Sequence, residues 1–269
     1  FSGRYVSASL HAETIDTAMH SSHATHPGLV RQNNEDCVKA DDTLGIYLLA
    51  DGIGGHNAGE VASALAVDTV YRVIRSNIMH TAVDDYFELM VHALHAAHWE
   101  IFTKAQSDPA MAKMGTTLVV AVVQNGKAYI VNAGDSRCYL FQRDYYPQPE
   151  PLLGHGCHKF TRLTHDHTVG DQLLTKGVPL GEIPQRQFHA LTRSLGCSNP
   201  PDPDFSVIEI SQKDMLLICS DGLTDMLTDA EIEMLLADNT VSLDVVADNL
   251  INAANAKGGR DNISVILIS

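Results

Sequence analysis

The sequence predicts an α+β fold in which antiparallel β-sheets are covered by helices. The chain has 269 residues and is 45% hydrophobic, which is enough to bury the core of one large domain. The elements that its apolar patterns predict come in the order strands, two helices, many strands, two helices and one strand. Strands and helices therefore do not alternate as they do in a parallel βαβ fold. The pair Asn125-Gly126 between two apolar runs is the strongest short-range signal of a β-hairpin. These observations favour an antiparallel sandwich with helices outside.

The first half of the chain supplies one buried strand and two long helices. A short extended segment is expected at 17–25, and the apolar run 45–50 predicts a buried strand. Small and aliphatic residues at helical spacing predict helices over 58–76 and 81–106. We expect these two helices to pack as an antiparallel pair.

The second half consists mainly of short apolar runs that predict strands. The expected strands are 116–124, 127–133, 136–141, 205–210, 214–220 and 263–269, and the expected helices are 168–176, 230–238 and 242–256. The stretch 142–160 is rich in Pro, Gly and Tyr, which predicts an irregular loop. An exposed flap is expected at 177–188.

The charge of the chain argues against a nucleic acid or a membrane as its main partner. The formal net charge is −15 and the isoelectric point is near 5.2, and no cluster of Lys and Arg is present to contact phosphates. A site that depends on cations tolerates this balance, because a bound metal ion reverses the local sign of the field.

The cysteines and the apolar runs indicate a cytoplasmic protein. The chain has five cysteines, an odd number, with no Cys-x-x-Cys pair: Cys37, Cys138, Cys157, Cys197 and Cys219. Several lie in strand-like apolar runs, so we expect buried free thiols in a reducing compartment. No basic segment followed by an apolar stretch is seen at the start, and no run reaches membrane-spanning length.

Three acidic patches, at Asp51, Asp221 and Asp261, indicate a divalent-cation site. Two of them directly follow an apolar run and the third directly precedes one. Strand ends that carry carboxylates place hard oxygen ligands, which Mg²⁺ and Mn²⁺ prefer, at the rim of a sheet. Each patch alone also fits an ordinary turn, and the glycines after Asp51 could instead cradle a phosphate, although G-x-G-x-x-G is not matched. Their joint occurrence predicts one convergent site and a hydrolytic reaction.

Eight segments of the chain, in order, resemble the metal-dependent serine/threonine protein phosphatases of the 2C type in their bacterial form. They are HPGLVRQNNED (26–36), LLADGIGGHNAGE (48–60), MGTTLVVAVV (114–123), NAGDSRCYLF (132–141), LTHDHT (163–168), LTRSLG (191–196), LLICSDGLTDML (216–227) and GGRDNISVILI (258–268). A single Asp-Gly pair has little specificity, whereas eight ordered segments have a great deal. The resemblance covers residues 17–269.

The resemblance implies a four-layer αββα sandwich of two antiparallel sheets, each covered by a helix pair. It places one phosphatase domain at 17–269, after an N-terminal extension at 1–16. The active site is expected at one end of the sandwich. The segment 169–190 is expected to be a flap that governs which substrates enter.

The resemblance also implies a centre of two Mn²⁺ or Mg²⁺ ions. Asp51 would bridge both ions, the carbonyl of Gly52 would bind one of them, and Asp221 and Asp261 would bind the other. Such ions lie ~3.5–4 Å apart and share a hydroxide that attacks phosphorus. Asp135 matches a ligand of a third, weaker ion, shared with Asp221; a simple β-turn aspartate is an equally open interpretation.

The remaining catalytic assignments also rest on the resemblance. Arg31 matches the arginine that holds the phosphoryl group, for which a guanidinium fork is suited. The alternative for Arg31 is a surface ion pair with Glu35 or Asp36. Asp36 matches the acidic residue that orients metal-bound water, with Glu35 supporting it. Animal relatives have a histidine where this chain has Ile53, so the general acid is open between a metal-bound water and His56.

The other histidines do not predict a metal site. His92, His95 and His98 lie three residues apart in a helix, with no Glu at the spacing of zinc proteases. The segment 154–158 contains two histidines and a cysteine but lacks a second pair of ligands. The histidines of LTHDHT (163–168) are expected to support the fold.

The predicted activity is hydrolysis of phosphoserine and phosphothreonine in proteins. No covalent phosphoenzyme is expected, because no nucleophilic Cys lies in a phosphate-binding loop. The expected partners are phosphoprotein substrates and a cognate Ser/Thr kinase, and the protein is expected to be a monomer. Two alternatives stay open: a specialised phosphatase of a regulatory phosphoprotein switch, and a non-catalytic binding module on the same fold. The presence of Arg31, Asp36 and the three metal-ligand aspartates argues against the second.

Overall fold

The strands and helices form two antiparallel sheets and a set of flanking helices. The computed structural model describes residues 19–54, 58–145 and 157–269. The strands are β1 (Ser21–His26), β2 (Asp36–Asp41), β3 (Ile46–Ile53), β4 (Gly115–Thr116), β5 (Leu118–Gln124), β6 (Lys127–Ala133), β7 (Arg137–Tyr145), β8 (Cys157–Arg162), β9 (Asp204–Glu209), β10 (Asp214–Cys219) and β11 (Ile263–Ile268). The helices are α1 (Ala58–Asn77), α2 (Tyr86–Ser107), α3 (Val169–Thr175), α4 (Asp221–Thr224), α5 (Asp229–Leu236) and α6 (Leu243–Ala256).

Each sheet has a simple antiparallel order. The first sheet runs β1-β11-β10-β7-β8, and the second runs β2-β3-β5-β6-β9, with the short β4 paired to β3. The β5–β6 hairpin turns at Asn125 and Gly126, which both have positive φ values, 54° and 72°. These are the backbone conformations that an Asn-Gly hairpin turn requires.

The side chains of β3 show how the four layers are built. Ile46 and Leu48 face a core shared with α1 and α2, whereas Tyr47 and Leu49 face the core between the two sheets. A third core lies between the first sheet and helices α4, α5 and α6. Because β3 is buried on both faces, its sequence is a continuous apolar run without alternation. The predicted four-layer αββα sandwich of two antiparallel sheets is confirmed.

The prediction of an irregular loop over 142–160 is wrong at both ends. Strand β7 continues to Tyr145, and β8 begins at Cys157 and pairs with it. Phe141 lies opposite Phe160 in this pairing, and the ring of Phe160 stacks on Tyr139 at 4.6 Å. These aromatic cross-strand contacts stabilise the strand pair, and the Pro and Gly content of the middle of the stretch obscured them.

Strand β2 was not predicted, because its sequence DCVKAD shows no apolar run or clear alternation. All six of its residues are half-buried at the edge of the second sheet, next to β3. Three features of the sequence prediction lie outside the described residues: the N-terminal extension 1–16, His56, and most of the segment 154–158.

The expected flap at 169–190 contains one helix followed by two short 3-10 turns. The hydroxyl of Thr168 accepts a hydrogen bond from the Asp171 N–H and so caps α3. An isolated antiparallel bridge between Thr168 and Leu191 joins the two ends of the segment. Its base is therefore fixed, and its control of substrate entry stays a prediction.

The thiols differ from the expectation at one position. Cys138 and Cys219 are buried and Cys37 is half-buried, but Cys197 is exposed, and all four are free. The side chain of Cys157 lies outside the described residues. Over the described parts of the chain, we find no helix with the length and apolar character needed to cross a bilayer.

Candidate metal centre

The two sheets deliver their acidic residues to the same end of the sandwich. Asp36 at the start of β2 lies directly opposite Asp51 near the end of β3. In the first sheet, β10 ends just before Asp221, and β11 begins just after Asp261. Because β10 and β11 are antiparallel neighbours, the end of one strand lies beside the start of the other. Four of the predicted site residues are thus brought together by strand pairing.

A buried serine joins the two halves of this site. The hydroxyl of Ser220 donates to Asp36 Oδ2 at 2.8 Å, and the Ser264 N–H donates to the Ser220 hydroxyl at 3.0 Å. A side chain on the second sheet is therefore hydrogen-bonded to the ends of β10 and β11 in the first. Sequence analysis did not assign Ser220, although its position directly before Asp221 was the available signal.

Burial and, after it, the charges of neighbouring carboxylates raise the pKa values of three aspartates of the site. Burial raises the pKa of Asp36 to about 7, and the charges of Asp221 and Asp261 add to the shift. Burial, together with the nearby charges of Asp36, Asp221, Asp135 and Asp261, raises the pKa of Asp51 well above its ordinary value. The pKa of Asp135 is raised to about 8, chiefly by burial and then by Asp221. These five aspartates form one electrostatic group, which we call the acidic cluster.

The acidic cluster fits divalent cations. Asp36 Oδ1 and Asp221 Oδ1 are both buried and have no hydrogen-bond partner among the described residues. Buried carboxylate oxygens without a partner are costly unless a cation or donor satisfies them. Hard oxygen ligands of this kind are what Mg²⁺ and Mn²⁺ bind.

The backbone around Gly52 is packed too closely to admit a side chain. A Cβ at Gly52 would overlap the backbone oxygens of Gly59 and Glu35. The Gly52 N–H donates to the Glu35 oxygen at 3.1 Å, and a Cβ at Gly59 would meet the Glu35 carboxylate. Burial raises the pKa of Glu35. The chain beyond Asp51 is thus held against the start of α1, with Glu35 between them.

Arg31 lies at the edge of the acidic cluster. Its Nη2 is 2.7 Å from Asp261 Oδ2, so Arg31 forms an ion pair with a predicted metal ligand. The alternative interpretation, a surface ion pair with Glu35 or Asp36, is therefore not what the structure shows. The hydrogen bond to Asp261 raises the pKa of the guanidinium. More than half of the Arg31 side chain is exposed, which leaves room for a phosphoryl group.

Asn262 fixes the loop that carries Arg31, and sequence analysis did not assign it. Its Oδ1 accepts from the Glu35 N–H at 2.8 Å. Its Nδ2 donates to the oxygens of Pro27 and Asn33 at 3.1 and 2.8 Å. One side chain thereby holds both ends of the segment between β1 and β2. The available signal was an amide between Asp261 and an apolar strand.

Two further residues, His189 and Asp225, lie beside Asp221 and were also missed. His189 Nδ1 is 4.0 Å from Asp221 Oδ2 and 3.7 Å from Asp225 Oδ2, and the three side chains could hold an ion. The Asp221 carboxylate raises the pKa of His189 to about 9, and burial raises that of Asp225 to about 6. His189 belongs to the expected flap, so the flap contacts the acidic cluster. The spacing of four between Asp221 and Asp225 was a weak signal, and His189 had none.

Two other histidines, His167 and His98, have structural partners. His167 Nδ1 accepts from the Gly134 N–H at 3.1 Å, next to Asp135, and its Nε2 is 3.2 Å from Asp204. His98 is fully buried and accepts from the Gly196 N–H at 3.2 Å. His167 therefore supports the fold as expected, whereas the side chain of His165 is 89% exposed and 3.7 Å from Asp204.

The chain belongs to the protein phosphatase 2C family. The model of that family matches residues 21–265, and the acidic cluster occupies one end of the matching fold. The protein is accordingly a metal-dependent serine/threonine protein phosphatase, as its motifs predicted.

The similar proteins are bacterial phosphatases. The chain is 34% identical over 255 residues to serine/threonine phosphatase stp of Listeria innocua, covering 93% of this chain and 95% of that protein. It is 33% identical over 252 residues to protein phosphatase PhpP of Streptococcus pneumoniae, covering 91% and 95%. Among solved structures, the serine/threonine phosphatase of S. agalactiae superimposes with a TM-score of 0.78 at 30% identity, over 93% of this chain and 98% of that one. The catalytic domain of PstP in complex with two manganese ions gives 0.76 at 29% identity, over 93% and 97%.

Proposed function

We propose that this phosphatase works through a two-ion centre, of Mn²⁺ or Mg²⁺, at the acidic cluster. The observation that supports the proposal best is the convergence of the five aspartates of the acidic cluster, two of which have buried oxygens with no hydrogen-bond partner among the described residues. The likeness to PstP, whose catalytic domain was solved with two manganese ions, supports the same number. When bound, the ions would supply a nucleophile by lowering the pKa of water and would polarise the phosphoryl oxygens.

The aspartates divide the work of holding the ions. Asp51 would hold both ions. The carbonyl of Gly52 would bind one of the two ions, and the carboxylates of Asp221 and Asp261 would bind the other. Asp135 would join Asp221 in holding a third, weaker ion. Its burial and its charge coupling to Asp221 favour this role over that of a β-turn residue.

The other residues bind and orient the reactants. Arg31 would hold two phosphoryl oxygens with its fork, while Asp261 fixes the guanidinium at 2.7 Å. Asp36, fixed through Oδ2 by Ser220, would accept a hydrogen bond from the attacking water at its free Oδ1. Glu35 would hold the backbone at Gly52 in place. The source of the proton for the leaving group stays open, because Ile53 is apolar and His56 lies outside the described residues.

The substrates would be phosphoserine and phosphothreonine proteins made by a bacterial Ser/Thr kinase. We propose that the enzyme counters such a kinase as a monomer, and a cytoplasmic location stays a prediction. Whether it serves one regulatory switch or many substrates is a question for substrate profiling. A non-catalytic role has no support, since the described site keeps every predicted ligand side chain.

Metal removal tests the proposed function. With Mn²⁺ present, we expect turnover of p-nitrophenyl phosphate and of a phosphothreonine peptide. EDTA should reduce both rates to background, and excess Mn²⁺ should restore them. Alkylation of Cys197, the exposed thiol, should leave both rates unchanged because no cysteine is the nucleophile. Turnover that survives EDTA would mean that the acidic cluster is not a metal centre.

Loss of the Ser220 hydroxyl should weaken metal binding and turnover together. Ser220→Ala removes the hydroxyl that donates to Asp36 Oδ2 at 2.8 Å, and substitutions behind a metal site typically cost about 10- to 100-fold in affinity or activity. Calorimetric titration with Mn²⁺ and kcat/KM for a phosphopeptide measure the two effects. Ser76→Ala, at an exposed serine on α1, is the matched control. Equal values for both variants would rule out a role for Ser220 in fixing Asp36.

A further inference from the structure

Two large apolar side chains lie exposed beside the proposed phosphate-binding arginine. Leu29 and Val30 directly precede Arg31 in the loop between β1 and β2, and each is 65% exposed. Single exposed aliphatic residues are common on protein surfaces, whereas neighbouring ones at a functional site often mark a contact surface.

The loop that carries this pair is held rigidly against the segment after α6. The Leu29 N–H donates to the Gly259 oxygen at 2.7 Å. Gly28 has a φ of 78° and lies so close to the Asp261 carbonyl that a Cβ would overlap it. The side chains are therefore presented on a fixed backbone, which lowers the entropy lost when a partner binds.

The position of the pair determines what can reach it. A phosphorylated side chain held by Arg31 places the neighbouring residues of its own chain over the adjacent surface, because consecutive residues of an extended chain are about 3.3 Å apart. The chain carries a net charge of −15, so acidic residues that flank the phosphorylated position of a substrate would be repelled.

We propose that Leu29 and Val30 form a specificity surface that takes an apolar side chain of the phosphoprotein substrate, close in sequence to the phosphorylated residue. This inference rests on the proposed function, because it assumes that Arg31 holds the phosphoryl group. The surface selects substrates with aliphatic residues flanking the phosphorylated position over those with polar or acidic ones.

A matched set of peptides tests the proposal. The peptides share one phosphothreonine sequence. They differ only at the two positions that directly flank the phosphothreonine, one on each side, which are both Leu, both Ser or both Glu. The quantity compared is the ratio of kcat/KM for the Leu peptide to that for the Ser peptide, which cancels any general loss of turnover in a variant. For the wild type we expect a ratio of about ten, the factor that corresponds to burying much of one aliphatic side chain.

The variants separate the pair from other exposed apolar residues. Val30→Ser and Leu29→Ser should bring the ratio near one, whereas Leu29→Met should keep it high. Met79→Ser is the control, because Met79 is also exposed, at 74%. It lies just after the C-terminal end of α1, whereas Gly59, which is packed beside the site, lies at the N-terminal end of that helix. A 20-residue helix separates the two ends by about 30 Å. The control should show the wild-type ratio.

The outcomes distinguish this inference from the proposed function. If no phosphopeptide is hydrolysed with Mn²⁺, the proposed function fails. If hydrolysis occurs but the wild-type ratio is near one, or persists unchanged in Val30→Ser and Leu29→Ser, the specificity surface is overturned. A wild type that is a dimer by light scattering, and a monomer after either serine substitution, would also overturn it, since the pair would then be a contact between copies.

Discussion

Replacing Asp51 with asparagine should lower kcat/KM for a phosphopeptide by at least about a thousandfold. Asparagine keeps the shape of the side chain but removes the charge proposed to hold both ions, and the loss of a Lewis-acid centre raises a reaction barrier by several kcal/mol. Steady-state kinetics with Mn²⁺ measure the effect. Asp84→Asn, at an exposed aspartate just before α2, is the matched control and should behave as the wild type.

The same substitution should stabilise the protein when no metal is present. Burial and the charges of four neighbouring carboxylates raise the pKa of the half-buried Asp51, so a neutral isostere removes the cost of a charge at this position. A higher melting temperature in EDTA together with lost activity would show that the residue serves the reaction and not the fold. An active Asp51→Asn variant would contradict the proposed centre.

The metal-free protein should become less stable as the pH rises from about 4 to 8. The pKa of Asp36 in the folded protein is raised to about 7 and that of Asp135 to about 8, whereas both are near 3.8 in the unfolded chain. Within that window the folded state holds protons that the unfolded state has released, so stability is present below the lower value and is lost toward the higher. The expected loss is on the order of a few kcal/mol. Saturating Mn²⁺ should reduce it, because a cation stabilises the ionised carboxylates.

The contribution of Asp36 is isolated by comparison with Asp36→Asn. The difference in melting temperature between wild type and variant, followed from pH 5 to 8 in EDTA, cancels the contributions of the histidines. We expect the melting temperature of the variant to rise relative to that of the wild type as the pH rises. This relative rise should disappear when the wild type is saturated with Mn²⁺. A difference independent of pH would show that Asp36 is ionised throughout and carries no raised pKa.

The sequence predicts those parts of the fold that local pattern controls. The run 45–50 reads as a buried strand because both faces of β3 are covered, and Asn125-Gly126 specifies its hairpin by backbone conformation alone. Strand β2 and the pairing of β7 with β8 depend on neighbours far along the chain. Such contacts leave little trace in a short stretch of mixed polarity.

The site shows the same division. Asp51, Asp221 and Asp261 stand out because strand ends with carboxylates are a local signal. Ser220 and His189 act across the sandwich or from the flap, so their roles appear only when the chain is folded. The motifs identified the proposed ligands, and the structure adds the side chains that position them.

Anomalous diffraction from a crystal grown with Mn²⁺ tests the central claim most directly. We expect two manganese peaks about 3.5–4 Å apart, with the Asp51 carboxylate touching both and Asp221 and Asp261 on one of them. Manganese peaks that lie away from Asp51, or a single ion held without it, would contradict the proposed two-ion centre.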